Sequence, residues 1–303
     1  MIDQLIEAIV AKQNPTCVGL DTSFDYLPDE MKEGVCSFEG AAEAILAFNK
    51  GIVDAVCDLV PAVKVQIAYY EMYGEEGLKA FRETCAYAKE KGLFVIADCK
   101  RNDIGSTASC YAKAYLGETS IGDKAIEAFP ADMLTVNGYL GSDGILPFTA
   151  ECEKGNKGIF VLVKTSNPSG DEIQNLKLED GRTIYELMGE MVEKWGESTI
   201  GKYGYSAVGA VVGATKPEEA KRLRGELRHT FFLIPGYGAQ GANAAMLKNC
   251  FDENGIGGIV NNSRGILCAY RKKGGTYAEA ARAAVVEMQK DLSSTIGVMQ
   301  CAK

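Results

Sequence analysis

The sequence predicts an α/β protein, a single (β/α)8 barrel with an N-terminal helix, occupying residues 1–303. Three observations carry that expectation: eight short β-branched apolar runs, helical periodicity in the segments between them, and charged residues at the ends of several runs. Strand-then-helix alternation implies right-handed crossovers and a parallel sheet. Eight such units fit a closed TIM barrel better than an open doubly wound sheet.

Taken in order, the first fifteen residues, MIDQLIEAIVAKQNP, read as an amphipathic helix. They lack the basic start and apolar block of a signal peptide. Strand candidates cover 16–21, 62–67, 93–98, 133–136, 158–163, 207–212, 231–234 and 258–260. Helical periodicity runs through 41–56, 75–91, 183–197, 217–224, 242–251 and 276–292. Gly92 is placed as a helix stop and Pro217 as a first-turn proline. The less regular stretches 22–40, 109–129 and 166–181 each follow a strand, which puts them on the C-terminal face where barrel enzymes build their sites.

Composition excludes several classes. A formal charge of −9 argues against general nucleic-acid or anionic-membrane binding, both of which rest on clustered Lys and Arg. No apolar run approaches the roughly 20 residues of a membrane helix. Ten cysteines contain no Cys-x-x-Cys pair; several, including Cys17, Cys57, Cys99 and Cys268, sit in apolar runs as small hydrophobes. Reduced thiols in a cytoplasmic protein are therefore expected, without a disulfide framework or zinc site. The one histidine, His229, lies before the seventh strand beside Arg228, on the stability face of a barrel. A tight transition-metal site has little to build on, although carboxylate-bound magnesium is left open.

The most informative stretch is IADCKRNDIGST, residues 96–107. Asp98 and Lys100 are two apart at a strand end, so their side chains are expected to point the same way, toward the barrel mouth. Asp103 follows where strand gives way to loop. Lys64 interrupts the apolar run AVKVQI one unit earlier, where an unpaired lysine is costly. Together these four form an alternating charge array able to fix a lysine as a positioned proton donor. The plainer alternative is a structural ion pair closing the barrel end. A second constellation, Pro235-Gly236-Tyr237-Gly238-Ala239-Gln240-Gly241 and Asn262-Ser263-Arg264-Gly265, follows the seventh and eighth strands. Barrels commonly bind phosphate there, through backbone N–H groups and an arginine.

These motifs resemble those of the orotidine 5′-phosphate decarboxylases. The segment from Asp98 through Lys100 and Asp103 to Ile104 is similar to that family's Asp-x-Lys-x-x-Asp-Ile signature. Val18–Asp21 resembles its first-strand aspartate segment, Lys64 its second-strand lysine, and Lys164–Pro168 its base-recognition loop. Residues 235–241 with Arg264 resemble its phosphate grip. The Thr-Ser-Asn-Pro and Gly-Ala-Gln-Gly forms suggest the longer branch of the family. Ser263 departs from it, standing where many relatives have glycine.

The resemblance implies cofactor-free decarboxylation of a small-molecule nucleotide to uridine 5′-monophosphate in pyrimidine biosynthesis, by a homodimer. It implies that Lys64, Asp98 and Lys100 form the array in one subunit, with Lys100 protonating C6, while Asp103 and Thr107 cross the interface. Asp21 and Thr107 would meet the ribose hydroxyls, and Ser166 the pyrimidine. Gln240 and Arg264 would bind phosphate, with Pro235, Gly236 and Gly241 shaping that loop. Ile104 would line the pocket for the departing carbon dioxide. The rivals are a magnesium-dependent sugar-phosphate decarboxylase or aldolase of the same superfamily, and a non-catalytic phosphate-ligand binding barrel.

Overall fold

In the computed structural model, which describes residues 1–238 and 241–301, eight parallel strands close into a barrel. They are β1 (Thr16–Leu20), β2 (Ala62–Gln66), β3 (Phe94–Arg101), β4 (Met133–Val136), β5 (Gly158–Lys164), β6 (Val208–Val212), β7 (Phe232–Pro235) and β8 (Gly258–Asn262). Each pairs with its sequence neighbours, and β8 returns to β1 through Thr16 opposite Val260 and Val18 opposite Asn262. All eight expected strands are present, shifted by a few residues at their ends.

The helices are α1 (Ile2–Lys12), α2 (Phe38–Val56), α3 (Gly74–Glu90), α4 (Gly105–Leu116), α5 (Ser142–Gly155), α6 (Ile184–Gly196), α7 (Pro217–Glu226), α8 (Ala244–Leu247) and α9 (Tyr277–Ile296), with four more of a single turn among the described residues, at Ala68–Glu71, Asp171–Gln174, Arg264–Leu267 and Tyr270–Lys273. Local chemistry explains their ends. Thr183 and Glu186 form a reciprocal cap on α6, as do Thr276 and Glu279 on α9. Pro217 opens α7, and Gly92, at φ +78°, follows the end of α3. The α8 segment is shorter than expected, passing into a 3-10 turn at Lys248–Cys250.

One stretch is corrected. Residues 109–129 were expected to be irregular and on the C-terminal face. Instead they complete α4, then form an antiparallel hairpin, Thr119–Ile121 with Lys124–Ile126. Every residue of that hairpin's strands is exposed, so no burial alternation marks it in the sequence.

The barrel interior is layered. Cys17, Ala62, Ile96, Met133, Phe160, Phe231 and Ile259 pack its N-terminal half. The same cluster takes Ile2, Leu5, Ile6 and Ile9 from one face of α1, together with Met299 from the C-terminal tail. Burying each such side chain contributes roughly 1.5–3 kcal/mol before entropy. Gln13 holds the tail in place, its amide donating to the Met299 carbonyl at 2.6 Å and accepting from its N–H at 3.0 Å. The N-terminal end is thus sealed with hydrocarbon, and polar chemistry is confined to the opposite mouth. Among the described residues, no helix is long and apolar enough to cross a membrane.

Candidate active site

The mouth opens into a cavity of about 450 Å³. Its polar wall is built from the strand ends of β1 to β4. Lys64 projects from β2 and donates to Asp98 Oδ2 at 2.7 Å and to Asp21 Oδ1 at 3.1 Å. Lys100 donates to Asp98 Oδ1 at 2.7 Å. Asp98 also accepts from Gln66 Nε2 at 2.9 Å and from the Thr135 hydroxyl at 2.8 Å. Four donors therefore converge on one carboxylate whose side chain is 9% exposed.

These contacts set the ionisation of the array. Burial alone would push the Asp98 carboxyl up, but Lys64 and Lys100 beside it outweigh that and hold it well below the usual carboxylate range. Burial would likewise pull Lys64 down, and Asp21 with Asp98 reverse it, holding the ammonium well above its ordinary value. The Lys100 side chain remains 47% exposed, facing the cavity.

Lys100 reaches its place through an irregular backbone. Its φ is +48°, one of three positive values at non-glycine residues among those described, and the β3–β4 register shifts between Ala97 and Arg101. The Thr135 hydroxyl accepts from the Lys100 N–H at 3.0 Å while donating to Asp98, which supports the kink. A left-handed residue of this kind costs on the order of 1–3 kcal/mol, and such strain clusters at functional sites. Asp98 and Lys100 meet, but through a bulge rather than the simple strand alternation expected from their spacing.

The opposite wall is apolar: Leu162, Val211 and Leu233, from β5, β6 and β7, face the same cavity. A charged array opposite hydrocarbon works in a lower local dielectric than water. Ser166 also lines the cavity, just after β5. Its carbonyl accepts from the Thr215 hydroxyl at 3.1 Å, and a Cβ on Gly213 would come within 2.8 Å of its N–H nitrogen. Glycine at 213 is therefore what lets this loop close on β6.

Pro235, Gly236 and Arg264 line the remaining side. Among the described residues Arg264 has no carboxylate partner, which leaves its guanidinium available to an anion. Gly241 turns at φ +91° and donates to the Gly238 carbonyl, but does not line the cavity. Gln240 lies outside the described residues.

Three further expected residues stand apart from this chain's cavity. Asp103 accepts from the Ile104 N–H at 2.8 Å, Ile104 is 52% exposed, and Thr107 is exposed on the first turns of α4. Two neutral residues, Thr135 and Gln66, carry no signal in the sequence, and Ser263, noted there only beside the phosphate loop, takes a further partner. Thr135 and Gln66 complete the Asp98 shell, and Ser263 donates to Asp21 Oδ2 at 2.7 Å. A neutral side chain at an inward strand position breaks no local rule, so only the assembled barrel reveals it. Among the described residues, no group of three or more His, Cys, Asp or Glu side chains is placed to hold a metal ion.

Comparison with known proteins places these features in context. Residues 16–278 match the family described as Orotidine 5'-phosphate decarboxylase / HUMPS family. The chain is 44% identical over 296 residues to an orotidine 5'-phosphate decarboxylase of Clostridium perfringens (strain SM101 / Type A), covering 97% of this chain and 98% of the relative. It superposes on Leishmania donovani OMP decarboxylase with a TM-score of 0.76 at 29% identity, covering 97% of this chain and 98% of that one. The Leishmania donovani UMP synthase structure is similar with a TM-score of 0.78 at 29% identity, covering 98% of this chain; the chain spans 56% of that longer protein.

Proposed function

The chain belongs to the orotidine 5′-phosphate decarboxylase / HUMPS family and is a carboxy-lyase, and we propose that it converts orotidine 5′-phosphate to uridine 5′-monophosphate and carbon dioxide without a cofactor. The observation that carries this reading is the alternating array Asp21–Lys64–Asp98–Lys100, facing an apolar wall across one cavity.

The chemistry asks for such an array. When the bond from C6 to the carboxylate breaks, its electron pair stays on C6 in an sp² orbital that no π system can delocalise. Stabilisation must come from fixed charge already in place. The Lys100 ammonium, held by Asp98, supplies that charge and then passes a proton to C6. The new C6–H bond forms as carbon dioxide departs, and the neutral amine regains its proton from solvent after product release.

The remaining roles follow from position and resemblance. Arg264, with the loop containing Pro235, Gly236, Gln240 and Gly241, takes the phosphate. Ser166 bonds the pyrimidine, and Asp21 takes a ribose hydroxyl. Phosphate binding far from C6 adds energy that can be expressed in the transition state. Asp103, Ile104 and Thr107, which sit outside this chain's own cavity, serve the neighbouring site of a homodimer, Asp103 beside Lys100 and Thr107 at the ribose. The chain acts as one catalytic domain, in the cytoplasm, within pyrimidine biosynthesis.

The direct test follows the ultraviolet absorbance of orotidine 5′-phosphate with purified protein and excess chelator. Steady loss of substrate is expected. A folded protein that leaves the nucleotide intact, and turns over sugar phosphates only with added magnesium, would overturn the reading.

A further inference from the structure

Asp21 occupies a junction. One carboxylate oxygen accepts from Lys64 at 3.1 Å and so belongs to the charged array. The other accepts from the Ser263 hydroxyl at 2.7 Å, and Ser263 directly precedes Arg264, which also lines the cavity. Among the described residues, Asp21 is the one cavity side chain hydrogen-bonded to both groups.

The bond has a built direction. Asn261 Nδ2 approaches the Ser263 oxygen at 3.2 Å. A serine hydroxyl has one proton, so accepting from Asn261 leaves that proton for Asp21. The reversed amide would put two acceptors face to face, because the proton is already given to the carboxylate. Asn261 holds this orientation although its own Oδ1 is buried without a partner among the described residues.

Space is reserved for the contact as well. A Cβ on Gly19 would lie 2.0 Å from the Ser263 oxygen and 2.8 Å from Asn261 Oδ1. Any larger residue at 19 would push the hydroxyl off Asp21. The result is one chain of hydrogen bonds from Asn261 through Ser263, Asp21, Lys64 and Asp98 to Lys100, joining the end of β8 to the end of β3.

We propose that Ser263 is a positioning residue that ties the phosphate grip at Arg264 to the orientation of Asp21, and through Asp21 to Lys64; the proposal rests on the decarboxylase reading. The Ser263 hydroxyl fixes the ribose-facing carboxylate of Asp21, and a phosphate seated on Arg264 holds the turn that carries Ser263. Loss of the Ser263 hydroxyl therefore reaches kcat as well as binding.

A double-mutant cycle tests it. Orotidine 5′-phosphate turnover is measured for the wild type, Ser263→Ala, Ser263→Gly, Asp21→Asn and Ser263→Ala combined with Asp21→Asn, with thermal midpoints alongside. A hydrogen bond to a charged group predicts a fall in kcat/KM of about tenfold for both serine variants, mainly in kcat. In the Asp21→Asn background the same serine change should cost less than about twofold, because its partner is gone. Equal losses in the two backgrounds, unchanged kcat, or a lowered thermal midpoint without a kinetic effect would each overturn the proposal. A wild type that does not turn over the nucleotide would instead remove the decarboxylase reading, and this inference with it.

Discussion

Two groups of alternating charge sit at the same end of the barrel, and they face different surroundings. Asp21, Lys64, Asp98 and Lys100 line the cavity between β1 and β3. Lys164, Asp171 and Lys216 form the second group beyond β5 and β6. Lys164 Nζ donates to Asp171 Oδ1 at 2.7 Å and to Asn175 Oδ1 at 2.7 Å, and lies over the Tyr185 ring. Lys216 reaches Asp171 Oδ2 at 2.6 Å. None of these three lines the cavity. Lys164 is the more deeply buried of the two strand lysines, at 0% exposure against 4% for Lys64, yet it is Lys64 that lines the cavity.

A buried, carboxylate-paired lysine at a strand end therefore does not by itself mark chemistry. Direction relative to the barrel decides. The second group anchors the short helical turn after β5, whose Gln174 also bonds Thr165 through its N–H and its hydroxyl. It supports the Ser166 loop from behind. The first group is anchored equally well but ends in Lys100, which is open to the cavity.

Substitutions should separate the two groups. Asp98→Asn is expected to have the largest effect. It removes the charge between two ammonium groups and releases Lys100, lowering kcat by roughly a thousandfold, a loss of the size seen when preorganised electrostatics are broken. Steady-state kinetics on the folded variant check this, and a kcat within tenfold of wild type would erase the distinction.

Lys164→Met should act on stability instead. Removing one partner of a buried pair costs about 1–3 kcal/mol here, since Asp171 keeps Lys216 and is partly exposed. Urea unfolding measures the loss, while kcat should stay within about threefold. A collapse of kcat at unchanged stability would make the second group catalytic.

The smallest effect concerns acid. Hydrogen bonds from Lys164 and then Lys216 pull the Asp171 carboxyl down to about 2. A depressed carboxyl contributes stability above its unfolded value of about 3.9, and that contribution is lost as pH falls toward the folded value. The stability gap between wild type and Lys164→Met should therefore narrow between about pH 5 and about pH 2.5. A gap that widened on acidification would show that Asp171 is not the group linking the two lysines.

Much of this was legible in the sequence because charge inside an apolar strand is conspicuous. Lys64 within AVKVQI and Asp98 within β3 violate the burial pattern, and violations of that kind mark sites. Thr135, Asn261 and Gln66 violate nothing, and their roles appear only when neighbouring strands bring them to the mouth. Ser263 and Asp21 are 242 positions apart, and their contact exists only because β8 closes against β1. Helix α4 was obscured by its small and polar opening, Gly105-Ser-Thr-Ala-Ser. Helix α5 escaped notice in the sequence; it carries Pro147 and begins beside Gly141, at φ +68°. The kink at Lys100 is likewise a property of the folded β3–β4 pair rather than of local spacing.

Lys100, not Lys164, is the lysine proposed to act on C6. The most direct measurement compares orotidine 5′-phosphate decarboxylation by the wild type, Lys100→Ala and Lys164→Met under chelator, at equal folded protein. The wild type and Lys164→Met should both turn over, with Lys100→Ala slower by a factor of at least about a hundred, the lower range for a lost general acid. Turnover by Lys100→Ala close to wild type, or Lys164→Met as inactive as Lys100→Ala, would contradict that assignment.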